Sequence, residues 1–455
     1  MMKILLILPQ GAIYRKSGSF KKSLRYAPVA LTTLAGLVPQ ELNAEIRIVD
    51  EGVEELDFNT EADLVGITAI TGSAPRAYHI AQRFRARGVP VVMGGVHATL
   101  MPGEAAKYVD TVVTGFAEES WPRLLRDFKQ NKMERLYTQS PHLSLANLPI
   151  ARRDLLKKEA YITTNSMQAT RGCINNCDFC VIPVAWGRRM YFRPVEEVVK
   201  EAAELPGKAL LFVDPSPIEN VEYAKSLFRA LIPLKKKWVG LATTKITKDP
   251  ELLDLATKSG CKGLLIGFES VTQETLRLAN KRFNSVNDYS EMVKKLHARG
   301  IAIMGCFVFG FDNDDKDVFQ RTVEFVDRIR IDLPRYAVLT PFPGTPLYKK
   351  LKSEGRILKD NRWSLFDAQH VVFKPAKMTP EELQEGHYWA WRQSYTAGSI
   401  FKRLAGSRCL LQVLVPANVG YREYARALPG YTEEVLTEGT WIDVNEPVGG
   451  LEGRL

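Results

Sequence analysis

The chain has no apolar run that reaches across a bilayer. The stretch Ile4 to Leu8 near its start is far shorter than the about 20 residues a spanning helix needs. It is also too short for a signal-peptide core, so a cytoplasmic location is expected. Cysteine is scarce: six in 455 residues are too few for a disulfide scaffold. No low-complexity tract, internal repeat, zinc-finger spacing or RNA-binding fingerprint is present, and no nucleic-acid partner is expected. Hydrophobic residues at 45% and charged residues at 25% exclude a disordered chain, a collagen-like fibre and a coiled-coil rod. What remains is a globular chain with length for about three domains. Three of its six cysteines fall within eight residues.

The net charge of +10 is unevenly spread. From Tyr431 to Leu455 there are six acids and one base, a tail of −5 that leaves +15 on the first 430 residues. The bases come in short scattered groups, such as Lys21-Lys22, Arg188-Arg189 and Lys235-Lys236-Lys237, which reads as a solvated surface.

Residues 1–130 alternate strand and helix signals. Short apolar strands are expected at Lys3–Leu8, Glu45–Val49, Leu64–Ile70, Val89–Met93 and Thr111–Thr114, with helical patterns such as Ser73–Arg87 between them. This predicts an α/β fold, an open five-stranded doubly wound sheet. Its ligand edge lies beyond the strands' carboxyl ends, at Pro9–Gly18, Thr68–Ser73, Gly94–His97 and Gly115–Ser120. Residues 131–160 read as a connector without sustained period. Residues 161–375 alternate again, with strands at Ile162–Ala169, Ala209–Val213, Trp238–Thr244, Gly263–Phe268, Ile301–Phe309 and Arg335–Thr340. Helix signals follow each: Pro194 precedes a one-faced apolar stripe, and Asp249-Pro250 opens a helix that Gly260 closes. Six βα units predict a partial (β/α)6 barrel with its site at the strands' carboxyl ends. Residues 376–455 turn helical and aromatic, with Trp389, Trp391 and Tyr395, and end in the acidic tail.

Cys173, Cys177 and Cys180 form C-x3-C-x2-C directly after the first barrel strand. Three thiolates on one loop can hold three irons of a cubane cluster, leaving the fourth open to a small molecule. The alternatives are a zinc site, which wants four ligands usually in two separated pairs, or three unrelated core cysteines. Cys261, Cys306 and Cys409 read as small core residues.

The spacing, with Phe179 at the aromatic position before the last cysteine, resembles the radical S-adenosylmethionine (SAM) superfamily. The resemblance implies a 4Fe-4S cluster on the three cysteines, SAM bound at the open iron, and formation of a 5′-deoxyadenosyl radical that takes hydrogen from an unactivated carbon. It implies a SAM amino-group contact at Asp214 and Ser216, where many relatives have paired acids. It also implies a ribose contact at Gly267-Phe268-Glu269-Ser270 and an adenine contact in Gly305–Gly310, including Phe309 and Gly310. The upstream domain resembles the cobalamin-binding domain of cobalamin-dependent members. There Thr68, Thr71 and Gly72 correspond to the segment that meets the nucleotide tail, Gly94, Gly95 and His97 to the double-glycine turn, and Gly115 and Glu118 to the loop after the last strand. The Asp-x-His-x-x-Gly motif of many such domains is absent, since the first loop, Pro9 to Tyr14, holds no histidine.

The branch includes the anaerobic magnesium-protoporphyrin ester cyclase and hopanoid and lipid enzymes. The expected function is a cobalamin-dependent radical SAM C-methyltransferase. Its implied partners are a small-molecule or lipid-like substrate and an external electron donor such as flavodoxin or ferredoxin. The alternatives are oxidative cyclisation or carbon–carbon coupling without methyl transfer, and a non-catalytic iron–sulfur protein.

Overall fold

The computed structural model describes residues 1–11, 26–407 and 409–437. Part of the Pro9–Gly18 loop, Lys21-Lys22 and the tail from Glu438 lie outside the described residues. No helix among the described residues is long and apolar enough to cross a membrane.

The first sheet contains β1 (Met2–Leu8), β2 (Ala44–Asp50), β3 (Leu64–Thr68), β4 (Val91–Gly94), β5 (Thr111–Thr114) and β6 (Leu136–Thr138). The order is β2-β1-β3-β4-β5-β6, parallel throughout. The five expected strands are all present. The sixth, β6, is an addition at the edge, inside the stretch read as a connector. Three residues are too few to show a period, and pairing with β5 supplies what its pattern lacks. Alternate residues of β1 feed opposite cores. Leu5 and Ile7 pack on the side of the helix Ala74–Arg85, and Ile4 and Leu6 on the side of Trp121. Burial on both faces explains why these strands read as continuous apolar runs rather than as alternation.

The second sheet runs in chain order: β7 (Ser166–Met167), then, past the hairpin of β8 (Thr170–Gly172) and β9 (Met190–Phe192), β10 (Ala209–Phe212), β11 (Lys237–Ala242), β12 (Cys261–Glu269), β13 (Ala302–Phe309) and β14 (Leu333–Val338). The six sheet strands are parallel, and β14 does not close onto β7, so the barrel is partial. The antiparallel β8–β9 hairpin was not foreseen; it brackets the cysteine loop. Along β13, Ile303, Phe307 and Phe309 are buried under the outer helices. Met304, Cys306 and Val308 face the lumen and stay partly accessible. Asp249 caps the helix Pro250–Lys258 by accepting from the Leu252 N–H, and Gly260 follows in the left-handed region.

The C-terminal region is helical, with helices Pro380–Ser394, Ala397–Leu404 and Leu411–Thr437. It solves the edge problem of β14. Trp391 Nε1 donates to the Tyr336 carbonyl at 3.1 Å, and the Tyr395 hydroxyl donates to the Pro334 carbonyl at 2.7 Å. Both rings are buried in this packing, so they brace the barrel rather than line a pocket.

Candidate functional site

The cysteine loop lies between β8 and β9 and is held at both ends. At its start, the buried Asp214 just beyond β10 accepts from the Ala169 N–H at 2.9 Å, from the Thr170 N–H, and from the Thr170 hydroxyl at 2.8 Å, all through Oδ1. These bonds fix the turn from β7 into β8. Oδ2 of Asp214 is buried with no partner among the described residues. Burial raises the carboxyl pKa to about 6. Gly172 then places its backbone against the Arg189 carbonyl with φ +83°, where a Cβ would lie 2.2 Å from that oxygen.

Within the loop Cys177 is buried, while Cys173 and Cys180 are partly accessible; all three are free thiols. Burial pushes the Cys177 thiol up to about 12 and the Cys180 thiol up to about 11; both feel Lys281, Glu269 and Cys173, and Cys177 feels Cys180 as well. Three free thiols on one loop are a donor set whose protons a metal displaces. Asn175 Nδ2 donates to the Cys173 sulfur at 3.4 Å, the kind of contact that tunes a cluster. Phe179 packs edge-on to Phe311, ring centroids 6.0 Å apart, so it ties the loop to the turn after β13.

Beside the loop, Glu269 ends β12 with φ +64°, where the pairing with β13 shifts register. Its carboxylate pairs with Lys281, a buried ammonium; burial lowers that lysine's pKa, but Glu269 and Cys177 outweigh it and the net shift is upward. Gly267 makes room for the pair, since a Cβ there would meet Glu269 Oε1 at 2.2 Å and Lys281 Nζ at 2.8 Å. Ser270 accepts from the Thr272 N–H at 3.0 Å and shapes the following turn. Ser216 donates to Glu219 at 3.0 Å, and Glu219 pairs with Lys245 at 2.6 Å. Lys281, Glu219 and Lys245 were not anticipated, because single charges in loops have no spacing that marks them. Phe309 turns its ring against Phe319 and Tyr336, which leaves its backbone for the expected adenine contact. Gly310 has φ +106°, and its N–H donates to Asp314.

The carboxyl edge of the first sheet abuts this loop. Arg171 pairs with Glu118 at 2.6 Å and lies over the Phe116 ring, while Phe116 stacks on Trp186 at 5.0 Å. Gln139, just past β6, donates to the Tyr191 hydroxyl on β9 at 2.8 Å. Gly95 (φ +93°) brings its backbone against Thr68 and Ala69, where a Cβ would lie 2.7 Å from the Thr68 hydroxyl; Gly94 has ordinary space. Gly115 (φ +78°) packs on Gln139 in the same way. Thr71 and Gly72 lie under Phe366 and Asp367 of the segment after β14. His97 was expected at the cofactor edge. Its ring is fully buried, bonded through Nε2 to the Tyr78 hydroxyl at 2.9 Å and Glu104 at 3.2 Å, with Trp363 edge-on to it and Nδ1 without a partner among the described residues. Trp363 also donates to Glu104 at 2.9 Å, so this cluster fastens the two halves together. Thr71, Thr114, Glu118 and Ser120 each have a buried oxygen without a partner among the described residues. Four such atoms along one sheet edge fit a polar ligand, since buried polar groups otherwise find partners.

The fold and site define an iron–sulfur enzyme that couples a partial barrel to a doubly wound cofactor domain. Residues 167–326 match the radical SAM superfamily, and residues 25–125 match the B12 binding domain. The bacteriochlorophyllide d C-12(1)-methyltransferase of Chlorobaculum tepidum is 33% identical over 76% of this chain and 77% of its own. The C-8(2)-methyltransferase of the same organism is 30% identical over 82% and 87%. In fold, the chain is similar to the radical SAM methyltransferase TsrM of Kitasatospora setae, with TM-score 0.68 at 16% identity over 96% of this chain and 99% of that one. The chain belongs to the radical SAM superfamily, in the branch with a B12-binding domain ahead of the barrel. It is an enzyme whose cofactors are a 4Fe-4S cluster, SAM and cobalamin.

Proposed function

We propose that this enzyme is a C-methyltransferase acting on an unactivated carbon of a chlorophyllide-type pigment, with flavodoxin or ferredoxin as electron donor. The observation that carries this reading is the clamp between the cysteine hairpin and the cofactor edge of the first sheet: Arg171–Glu118, Phe116–Trp186 and Gln139–Tyr191. A methyl carrier and a radical source serve one carbon only if they face each other across a fixed gap. Both bacteriochlorophyllide relatives reported above, at 33% and 30% identity, carry methyl transfer in their names, which favours that chemistry over cyclisation or coupling.

When bound, the cluster and SAM supply the radical and cobalamin the methyl group. The chain supplies placement. Cys173, Cys177 and Cys180 would hold the cluster. Asp214 Oδ2 and Ser216 would receive the SAM amino group, and the Glu269 carboxylate the ribose hydroxyls, oriented by Lys281. Residues 1–130 with β6 would carry cobalamin, 131–160 the link, 161–375 the radical chemistry, and 376–455 the brace on β14. The test uses anaerobic holoenzyme, bacteriochlorophyllide d and SAM labelled in its methyl group. Label in the pigment is the expected result; deoxyadenosine without labelled pigment would overturn methyl transfer.

A further inference from the structure

Among the described residues, the lumen of the barrel contains a cation, Arg335, that the site above leaves unused. Arg335 sits at the centre of β14, opposite Cys306 of β13 in the register. Its neighbours Pro334 and Tyr336 are buried towards the C-terminal helices, and Arg335 alternates to the other side, where it is exposed. It therefore stands on the lumen face, in the row formed by Gly267, Cys306 and Arg335. Burial raises the Cys306 thiol pKa to about 11, and both Arg335 and the Glu269–Lys281 pair act on that thiol, so they share one chamber. The phenols of Tyr421, Tyr424 and Tyr26 are within electrostatic reach of the guanidinium.

Cations of the site above are paired among the described residues: Lys281 with Glu269, Lys245 with Glu219, Arg171 with Glu118 and Arg193 with Glu201. Arg335 has no ion pair or hydrogen bond to any described residue. A guanidinium held on a strand at the lumen wall, with a rigid planar fork and no carboxylate, is a receptor for one. The walls near it are apolar: Leu241, Leu265, Met304, Val308 and Ala337 line the lumen in successive rows.

We propose that Arg335 is the substrate-anchoring residue of the barrel, binding a carboxylate on an otherwise apolar substrate and so setting which carbon faces the cysteine loop. One guanidinium balances one negative charge, which selects a carboxylate over a phosphate dianion. The proposal rests on the lumen being the substrate chamber of the function given above, but not on methyl transfer itself.

The experiment measures fluorescence anisotropy of pyrenebutyrate, of its methyl ester and of pyrenemethyl phosphate with anaerobic holoenzyme. The wild type is expected to bind the acid about tenfold or more tightly than the ester, the ratio of a charge-assisted bidentate contact, and more tightly than the phosphate. Arg335→Gln binds acid and ester alike, and Arg335→Lys restores part of the preference. Iron content and Tm matching the wild type identify a folded variant, and the lysine variant carries the test where the glutamine variant fails to load. Equal affinity of wild type for acid and ester, absence of binding by both, preference for the phosphate, or an acid preference retained in Arg335→Gln overturns the proposal. A preserved acid preference in an enzyme that labels no pigment leaves this site standing and removes the methyl-transfer reading instead.

Discussion

Cys177 is the buried member of the cysteine trio, and burial pushes its thiol up to about 12. Cys177→Ala is expected to abolish deoxyadenosine production while the far-ultraviolet circular dichroism stays that of the wild type; retained SAM cleavage would reject the cluster assignment. Asp214 shows the opposite economy, a carboxyl that three donors hold through one oxygen while burial raises its pKa to about 6. Its folded pKa exceeds the unfolded value near 3.8, so the folded state binds the proton more tightly. Its contribution is therefore full below about pH 4, falls as pH rises towards 6 and is level above that, by on the order of 3 kcal/mol. Denaturation of metal-free protein across this window should show that decline, and Asp214→Asn should flatten it. The C-x3-C-x2-C spacing was legible in the sequence because the three ligands are neighbours in the chain. Asp214 was legible as a position. Its role in pinning Thr170 was not, because the partner lies 44 residues away.

The end of β12 is where local backbone and site chemistry meet. A left-handed Glu269 after a register shift is costly for a residue with a Cβ, and such cost persists where the surroundings hold it. Gly267→Ala would push a methyl into the Glu269–Lys281 pair. The expected result is a Kd for SAM raised about tenfold with iron content unchanged, read by equilibrium dialysis. The β8–β9 hairpin depends on a different pair. Arg171 and Glu118 are both largely buried, and removing one partner strands the other's charge. Glu118→Ala should destabilise the protein by about 3 kcal/mol, and Glu118→Ala with Arg171→Met should recover much of it in thermal unfolding. Equal loss in single and double variants would show that the pair is not what joins the elements. The strands of both sheets were readable from apolar runs and turn signals. The hairpin and β6 were not, because three-residue strands carry no periodicity and exist by virtue of their partners.

At the scale of the whole molecule, two α/β units and a helical brace are joined by contacts that no single stretch announces. His97 is the clearest case. It follows a double glycine, and the fold bonds its Nε2 to Tyr78 and Glu104 and sets it against Trp363, the last of these 266 residues further along the chain. The same fastening seals the cofactor edge, since Thr71 and Gly72 lie beneath Phe366 and Asp367. If the nucleotide tail of cobalamin is held at this edge, as proposed above, that strip of chain and the tryptophan anchor would have to part before it could leave or arrive. Uptake of cobalamin by finished protein should then be slow, and Trp363→Ala, which removes the bond to Glu104, should speed it in a vitamin-chase measured by absorbance; an unchanged rate would reject the seat. On that reading, the bond from Trp363 to Glu104 makes the order of folding and cofactor loading matter to this fold.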